Sequence, residues 1–402
     1  IAPTISKGEK LAALVRAWLL PASLLTRRKI QPDDLATVIF SSGSTGDPKG
    51  VMLTEQNIAS NVHQLEQCFG FDRRDRILGI LPFFHSFGFT GTLALALTRG
   101  LGVIFHPNPL DARTIGTLVS DNAVTFLLAT PTFLQSYIRR CDAHQFGSLR
   151  VVLAGAEKLS DRAAQAFEDK FGIRPLEAYG CTECSPAVTV NTHDYRATGF
   201  RQVGARRGKI GHPLPGVGIR IVDPDTFEPL PIGRPGLMLV RGPNVMKGYL
   251  GRPAETAKVI RDGWYVTGDI ATLDDDGFVE ITDRLSRFSK IGGEMVPHIK
   301  VEEKLHELAG SAAAEAQVFA VTAGPDEKKG ERLLVLHTLE PDALAACLAR
   351  LDQCGLPNLW LPRPQAFFRV EALPYLGTGK LDLRKIRETA ARLAENSRAQ
   401  AQ

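Results

Sequence analysis

"SSGSTGDPKG", residues 41–50, is a glycine- and hydroxyl-rich stretch between a predicted strand and a predicted helix. The apolar, β-branched run LATVIF (Leu35–Phe40) predicts a buried strand before it, and Thr54 predicts the N-cap of a helix after it. Glycines let backbone N–H groups approach an anion, hydroxyl groups add donors, and Lys49 supplies positive charge. The stretch therefore predicts a phosphate-binding loop, and a surface loop of turn-forming residues is the alternative.

The spacing of this loop excludes one common phosphate-binding motif. A Walker A loop has the order G-x-x-x-x-G-K-[ST]. Here Gly43 and Gly46 are three residues apart and Lys49 follows three residues later. Gly50 stands where a Walker A loop has the hydroxyl group that reaches Mg²⁺.

The composition is that of an ordinary globular protein. The chain has 402 residues, of which 44% are hydrophobic and 23% charged, and this length predicts two or three domains. The formal net charge of +4 is too small to predict a nucleic-acid partner. Six cysteines without a secretory spacing predict a reducing compartment. Cys181 and Cys184 lack the second pair or histidine cluster of a metal site, which disfavours that interpretation.

An apolar segment near the N-terminus has two interpretations. Leu11–Lys29 is apolar, is broken by Pro21, and ends in three basic residues. Such a segment is typical of contact with a membrane surface, and packing against a preceding part of the protein is the alternative. Because the first residue is Ile1 rather than Met, we expect a longer parent protein. The sequence has no apolar run long enough to cross a bilayer.

Apolar strands alternate with amphipathic helices from residue 35 to residue 178. This alternation predicts an α/β fold with a mostly parallel sheet that is covered by helices. The glycine-rich loop, PFFHSFG, AGAEK and YGCTE each follow a predicted strand, so we expect all four at one edge of the sheet. Further on, short strands between prolines and glycines predict a β-rich part, with a hairpin at Asp274–Arg284. The last part is predicted to be α+β, with Lys380 near its end.

Several motifs occur in the order in which one enzyme superfamily has them. The loop at 41–50, YGCTECSP (Tyr179–Pro186), WYVTGDI (Trp264–Ile270), TDRLSR (Thr282–Arg287) and LPYLGTGKLD (Leu373–Asp382) resemble segments of adenylate-forming enzymes. This superfamily contains acyl-CoA synthetases, luciferases and nonribosomal adenylation domains, and the resemblance covers nearly the whole chain. It implies ATP and Mg²⁺ as cofactors.

The resemblance also implies a division into domains. A large adenylation domain would occupy residues 1–283, with its β-rich part at about 205–283. A small, mobile C-terminal domain would occupy residues 284–402, joined by a hinge. The family has a further N-terminal lobe before the phosphate loop, where this chain has only residues 1–40, so we expect that lobe to be truncated.

The resemblance implies a nucleotide site that includes most of these motifs. Tyr179 would stack near adenine beside Gly180, Thr182 would contact the phosphate region, and Glu183 would coordinate Mg²⁺. A hard cation that bridges phosphates takes carboxylate oxygens and keeps several waters, which suits Glu183. The phosphate loop would contribute Ser41, Ser42, Gly43, Ser44, Thr45, Gly46 and Lys49.

Further residues would complete the nucleotide and substrate pockets. Asp269 would accept hydrogen bonds from both ribose hydroxyl groups, and Arg284 would also touch the ribose. Gly155 and Ala156 would leave room for a flat base, and a plain strand-to-helix turn is the alternative. His85 would line the entrance to the carboxylate pocket, and a packed histidine among aromatic residues is the alternative.

Lys380 stands where the family has its C-terminal catalytic lysine, and Thr182 and Glu183 would complete the catalytic set. A long cationic side chain can neutralise the negative charge that develops on the α-phosphate and the acyl oxygen. A surface lysine is the alternative. The family's hinge position, usually Asp or Lys, is Ser286 here.

The segment SRFSKIGGEMVPHIKVEEKLHEL (Ser286–Leu308) most resembles the synthetase module of the bacterial bifunctional 2-acylglycerophosphoethanolamine acyltransferase/acyl-ACP synthetase. This implies transfer of an activated fatty acid to the phosphopantetheine thiol of acyl carrier protein. It also implies a covalently linked lysophospholipid acyltransferase domain, at the cytoplasmic side of the bacterial inner membrane. The carrier is acidic, so Arg206, Arg207 and Lys209 form a candidate dock. The alternatives are coenzyme A as the thiol or, in another class, a non-catalytic acyl- or nucleotide-binding module.

Overall fold

The structure, a computed structural model, describes residues 6–19, 30–41, 48–310, 317–326, 328–375 and 381–400. The helices of these residues are α1 (Lys7–Leu19), α2 (Glu55–Phe69), α3 (Ser86–Gly88), α4 (Leu95–Arg99), α5 (Ala112–Asp121), α6 (Pro131–Arg140), α7 (Asp161–Phe171), α8 (Pro253–Val259), α9 (His298–Ala309), α10 (Pro341–Leu348) and α11 (Leu383–Gln400). A π-helical turn, Phe89–Ala94, joins α3 to α4.

The strands of the large N-terminal part come first. They are β1 (Leu35–Ser41), β2 (Lys49–Thr54), β3 (Arg76–Gly79), β4 (Gly102–Phe105), β5 (Phe126–Ala129), β6 (Val151–Ala154), β7 (Leu176–Gly180), β8 (Ala187–Val190), β9 (Tyr195–Ala197), β10 (Phe200–Gln202), β11 (His212–Pro213), β12 (Gly218–Val222), β13 (Gly236–Arg241), β14 (Gly248–Tyr249), β15 (Ile260–Arg261), β16 (Trp264–Leu273) and β17 (Val279–Arg284). The later strands are β18 (Phe288–Ile291), β19 (Glu294–Pro297), β20 (Phe319–Asp326), β21 (Gly330–His337) and β22 (Phe367–Arg369).

A seven-stranded sheet with the order β11-β8-β7-β6-β5-β3-β4 forms the centre of the fold. The strands from β7 to β4 in this order pair in parallel, and β8 and β11 add antiparallel strands at one side. Every residue of β5 and β6 is buried, which requires cover on both faces of the sheet. The predicted α/β fold with a mostly parallel, helix-covered sheet is confirmed.

The strand ahead of the glycine-rich loop does not belong to that sheet. β1 pairs antiparallel with β2, and β2 pairs with β14, in a separate three-stranded sheet. Ile39 is the buried residue of β1, whereas Leu35 and Phe40 are 50% and 65% exposed. The prediction that this strand is buried is therefore wrong, and between the glycine-rich loop and the helix the chain returns as β2. A short apolar run is typical of both kinds of strand, and only tertiary pairing separates them.

Helix α2 begins at the predicted cap. Thr54 Oγ1 accepts a hydrogen bond of 3.2 Å from the Asn57 N–H, and Asn57 Oδ1 accepts one of 2.9 Å from the Thr54 N–H. This reciprocal capping box satisfies two backbone donors of the helix N-terminus. The helix ends at Gly70, which has a left-handed φ of 54°.

The predicted β-rich part is a five-stranded sheet of β12, β13, β15, β16 and β17. The predicted hairpin is present as β16 and β17, which pair antiparallel. Gly277 has a φ of 82° in its turn, a conformation that favours glycine. This hairpin places residues Asp269 and Arg284 opposite each other.

A second five-stranded sheet, β19-β18-β21-β20 with β22, packs against α9 and α11. Its apolar clusters lie among residues 291–394. Phe288 and Met295 instead pack against Val222, Leu237 and Ile270 of the preceding β-rich sheet. The end of the chain is thus α+β and contacts the large part through an apolar junction. The domain boundary after residue 283 stays a prediction.

Helix α1 presents apolar side chains to solvent. Leu11, Leu14, Trp18 and Leu19 are each more than half exposed. Among the residues that the structure describes, no helix has the length and hydrophobicity to cross a bilayer. The contact of this segment with a membrane surface stays a prediction.

Candidate nucleotide site

Three of the predicted site segments follow parallel strands of the seven-stranded sheet. PFFHSFG comes after β3, AGAEK begins at the end of β6, and YGCTE begins at the end of β7. Because the carboxyl ends of parallel strands meet at one edge, these segments converge there. Residues 42–47 of the glycine-rich loop lie outside the described residues, so Ser42, Gly43, Ser44, Thr45 and Gly46 are not placed. Its flanks, Ser41 and Lys49, pair across the β1–β2 hairpin.

Glu183 lies in a short 3₁₀ turn, Thr182–Cys184, shortly after β7. Its side chain is buried, and its Oε1 accepts a hydrogen bond of 3.0 Å from the Tyr249 hydroxyl. The Met246 N–H donates to the backbone carbonyl of Glu183 at 2.7 Å. Both the carboxylate and the backbone of this residue are therefore held by the segment around β14.

Lys49 reaches the same tyrosine. Its Nζ lies 5.1 Å from the centroid of the Tyr249 ring and 3.3 Å from Glu255 Oε2. A cation above an aromatic face is attracted by the ring quadrupole. Through Tyr249, the structure brings the lysine of the glycine-rich loop and the carboxylate of YGCTE into one cluster.

Asp269 and Arg284 face each other across the β16–β17 hairpin. Arg284 Nε lies 3.2 Å from Asp269 Oδ1, and the Tyr179 hydroxyl donates to Asp269 Oδ2. Burial raises the pKa of Asp269, and the Arg284 guanidinium acts in the opposite direction. The structure thus brings together three predicted residues from three separate motifs. A carboxylate has about four lone-pair sites, so Asp269 can accept further donors.

Close packing requires glycine at Gly180, where a Cβ would lie 2.2 Å from the Pro186 carbonyl oxygen. At Gly155 the contact is looser, since a Cβ would lie 3.3 Å from the Phe87 ring and that ring would have to shift by a few tenths of an ångström. The role of Gly155 beside a flat base stays a prediction. Ala156 is exposed and has a φ of 68°.

The segment PFFHSFG contacts the site through a residue next to the predicted one. His85 is exposed, whereas Ser86 is buried and its Oγ donates to Thr182 Oγ1 at 3.4 Å. Phe84 is 79% exposed, and Phe83 packs edge-on against Phe105 with 5.3 Å between ring centroids. These three phenylalanines form an exposed apolar surface beside the site.

The predicted catalytic lysine lies outside the described residues. Lys380 belongs to the undescribed stretch 376–380, whose flanks Tyr375 and Leu381 form an antiparallel bridge. The backbone of Ser286 belongs to the 3₁₀ turn Leu285–Arg287, which directly follows β17. The catalytic and hinge roles of these two residues stay predictions.

Sequence patterns did not mark Tyr249, Glu255 or Ser86. Tyr249 comes from the two-residue strand β14 and Glu255 from the first turn of α8, so neither belongs to a recognisable periodic segment. Both reach Lys49 because β14 pairs with β2. For Ser86 the sequence did contain a pointer, because this residue directly follows His85 in the segment PFFHSFG.

The structure also describes the cysteine pair of YGCTEC and the cations of the candidate dock. Cys181 and Cys184 are free thiols, and their mutual hydrogen bond together with burial raises the pKa of Cys181 well above its usual value. Within the described ranges, no group of three or more His, Cys, Asp or Glu side chains is arranged to hold a metal ion.

The cations of the candidate dock form ion pairs inside the chain. These pairs are Arg206 with Asp274 and Asp276, Arg207 with Glu168, and Lys209 with Glu280.

The sequence profile of the family described as AMP-binding enzyme matches residues 4–250 of the chain. The chain belongs to the AMP-binding enzyme family. This membership confirms the predicted resemblance to adenylate-forming enzymes. A long-chain-fatty-acid–CoA ligase of Bacillus subtilis is 33% identical to this family member over 376 residues. That alignment covers 91% of this chain and 64% of the ligase, so the chain spans about two thirds of its relative's length.

Solved structures resemble this AMP-binding enzyme throughout most of its length. ATP-bound MatB from Rhodopseudomonas palustris has a TM-score of 0.76 at 30% identity, covering 90% of this chain and 70% of MatB. The o-succinylbenzoate CoA synthetase MenE from Bacillus subtilis, in complex with ATP and magnesium ion, has a TM-score of 0.73 at 26% identity. It covers 89% of this chain and 70% of MenE.

Proposed function

We propose that this chain activates a fatty acid with ATP as an acyl-adenylate and then transfers the acyl group to a phosphopantetheine thiol. The observation that carries this proposal is the placement of the stretch Tyr179–Glu183. At one end, the Tyr179 hydroxyl donates a hydrogen bond to Asp269, which pairs with Arg284. At the other end, Glu183 accepts a hydrogen bond from Tyr249, and Lys49 lies over the Tyr249 ring. A nucleotide has hydroxyl donors at its ribose and an anion at its phosphates, which suits these two ends.

The residues at the phosphate end fit a magnesium ion bound together with a nucleotide. Glu183 is a buried carboxylate held by Tyr249 and lies in the same cluster as the cation Lys49. Mg²⁺ is commonly bound by one or two carboxylates together with substrate phosphates and waters. When bound, such an ion would neutralise phosphate charge, Glu183 would hold it, and Lys49 would add a second positive charge. ATP is also bound in the solved structure of MatB, and ATP together with a magnesium ion in that of MenE.

Two features support a long apolar acid as the substrate. The Bacillus subtilis relative is a ligase of long-chain fatty acids. In this chain, Phe83, Phe84 and Phe105 present an apolar surface beside Ser86 and Thr182. Burial of an alkyl chain against such a surface is favourable in proportion to the area removed from water.

Coenzyme A is the proposed acceptor, and acyl carrier protein is the second candidate. The name of the Bacillus subtilis relative supports coenzyme A. The segment Ser286–Leu308 and its resemblance to acyl-ACP synthetase modules favour the carrier protein. The candidate dock supports the carrier weakly, since Arg206, Arg207 and Lys209 are already paired.

The proposal includes the domain movement and the cellular setting. Residues 284–402 would form the mobile domain, turning about Ser286 to bring Lys380 to the α-phosphate and the acyl oxygen. The linked acyltransferase domain and a place at the cytoplasmic face of the inner membrane rest on the same sequence resemblance. The exposed apolar side of α1 is consistent with contact with a membrane surface.

The test is release of pyrophosphate from MgATP by the 402-residue chain, with and without fatty acid, for the wild type, Lys380→Ala and Lys385→Ala. We expect release to require fatty acid and to fall by roughly 100-fold in Lys380→Ala, because a charge that stabilises the transition state is lost. Lys385 is an exposed lysine of α11 and serves as the matched control, with unchanged release. Coenzyme A and holo-acyl carrier protein, offered in parallel, identify the acceptor by the thioester formed. Saturable ATP binding without any release would favour the non-catalytic binding module instead.

A further inference from the structure

A cluster of buried charges lies where the β-rich sheet meets the last part of the chain. Asp283 is in β17, Arg287 is in the turn that follows, and Glu302 is in α9. Arg287 Nη2 lies 2.5 Å from Glu302 Oε1, and its Nε lies 4.0 Å from Asp283 Oδ1. The carboxylates of Asp283 and Glu302 are both buried, so their charges are poorly solvated and depend on Arg287.

The Asp283 carboxylate joins the two sides of this junction through backbone hydrogen bonds. Its Oδ1 accepts the Arg284 N–H at 2.8 Å, and its Oδ2 accepts the Ile299 N–H at 2.8 Å. Ile299 lies in the first turn of α9, where N–H groups have no partner within the helix. Arg284 is the residue whose side chain pairs with Asp269. One carboxylate therefore fixes both the backbone of Arg284 and the start of α9.

Arg287 lies between the two acids and offsets their negative charges. Its Nε and Nη2 are both buried, and Nη2 is the atom that contacts Glu302. Burial raises the pKa of Asp283 to about 6 and that of Glu302 to about 7, with Arg287 acting in the opposite direction at both. Glu302 is also held by the Val321 N–H, at 2.7 Å from its Oε1. One guanidinium thus compensates two acids that are anchored on opposite sides of the junction.

We propose that Arg287 is a positioning residue for the nucleotide site. The Arg287 guanidinium offsets the negative charges of Asp283 and Glu302 and so holds α9 against the end of β17. This keeps the backbone of Arg284 where the Arg284 side chain can pair with Asp269. This inference rests on the proposed function, in which Asp269 and Arg284 hold the ribose. It adds a role for a side chain that need not touch the nucleotide.

A second ion pair across the same junction provides a matched control. Lys290 of β18 pairs with Asp225, which lies between β12 and β13, and these side chains are 49% and 61% exposed. Exposed ion pairs contribute little, because water screens them and their side chains lose entropy on pairing. Lys290→Gln removes one positive charge from the junction, as Arg287→Gln does, but leaves the buried cluster intact.

The experiment measures amide hydrogen exchange at Arg284 and Ile299 and the steady-state KM for ATP in wild type, Arg287→Gln, Arg287→Lys and Lys290→Gln. In Arg287→Gln we expect exchange at both amides to be about tenfold faster and KM for ATP to rise about tenfold, with a smaller change in kcat, because binding geometry is loosened. Arg287→Lys keeps the charge and restores much of both values. Lys290→Gln resembles the wild type.

Unchanged exchange at Arg284 and Ile299 in Arg287→Gln would overturn the inference. Faster exchange with an unchanged KM for ATP would also overturn it, because the cluster would then serve the fold alone. Exchange is measured on the chain without substrates. If the wild type released no pyrophosphate, the proposed function would fail, while exchange at Arg284 would still decide whether Arg287 positions that residue.

Discussion

The buried carboxylates of the candidate nucleotide site and those of the junction with α9 have different hydrogen-bond partners. At the site, Glu183 accepts from the Tyr249 hydroxyl and Asp269 accepts from the Tyr179 hydroxyl. At the junction, Asp283 accepts two backbone N–H groups and Glu302 accepts one. A side-chain hydroxyl can rotate away in favour of a ligand, whereas a backbone N–H moves only with its segment. Glu183 and Asp269 are therefore suited to exchanging partners with a ligand, whereas Asp283 and Glu302 are suited to anchoring the chain.

The comparison predicts that a site carboxylate is needed for activity more than for folding, and Glu183→Gln tests this with the largest expected effect. We expect pyrophosphate release to fall by about 100-fold or more, because the proposed metal loses its charged ligand. The melting temperature should change little, since an amide oxygen can still accept from Tyr249. Release and thermal unfolding are measured on the same preparations.

Glu168→Gln is the control for that variant, since Glu168 is a surface partner of Arg207. Both its release and its melting temperature should match the wild type. A Glu183→Gln protein that released pyrophosphate at more than half the wild-type rate would remove Glu183 from the proposed metal site.

At the junction the comparison predicts the opposite pattern, with a loss of stability in Asp283→Ala. The change leaves the N–H groups of Arg284 and Ile299 without their acceptor in a buried place and should lower the free energy of unfolding by about 2–4 kcal/mol. Urea unfolding measures this value. Asp326→Ala is the control, because Asp326 also accepts two backbone N–H groups, from Lys328 and Lys329, but at a place where water can replace it. If both variants lost equal stability, burial would not be what distinguishes the junction.

His298, in the first turn of α9, sharpens the comparison with a smaller, pH-dependent effect. Burial, with Arg287 and Arg387 nearby, lowers its pKa from 6.5 to about 3, and it shares a hydrogen bond of 2.6 Å with Ser289 Oγ. In the unfolded chain the His298 imidazole binds a proton below about pH 6.5, whereas in the folded chain it binds one only near pH 3. His298 therefore lowers the free energy of unfolding as pH falls from about 6.5 towards 3.

In His298→Gln this contribution disappears. We expect the free energy of unfolding of the variant to decline less between pH 7 and pH 4.5, by about 1–3 kcal/mol relative to wild type. Urea unfolding at several pH values gives the two curves. Parallel curves would show that His298 is protonated in the fold, and the junction would then be less enclosed than the structure indicates.

Much of the fold could be predicted because local patterns carry it. The run FLLA of β5 and the run VVLA of β6 are continuous apolar segments followed by amphipathic helices, and they are buried strands in the parallel sheet. LATVIF has a similar apolar composition and predicts a buried strand in the same way, yet it forms a largely exposed strand of another sheet. LATVIF joins another sheet because it pairs with β2, and β2 pairs with β14, a segment almost two hundred residues away. Nothing in the local sequence of β2 or β14 predicts that pairing.

The candidate site divides in the same way. The sequence by itself determined which residues are the candidates, since Glu183, Asp269 and Arg284 stand in motifs whose residue types suit a metal and a ribose. Only the tertiary structure decided which side chains pair with each other. It pairs Tyr249 with Glu183 and Glu255 with Lys49. It also places Arg287 beside Asp283 and Glu302. The physical reason is range. Residue type and local spacing act within one turn or strand, whereas a buried charge selects its partner from whatever distant segment the folded core brings beside it.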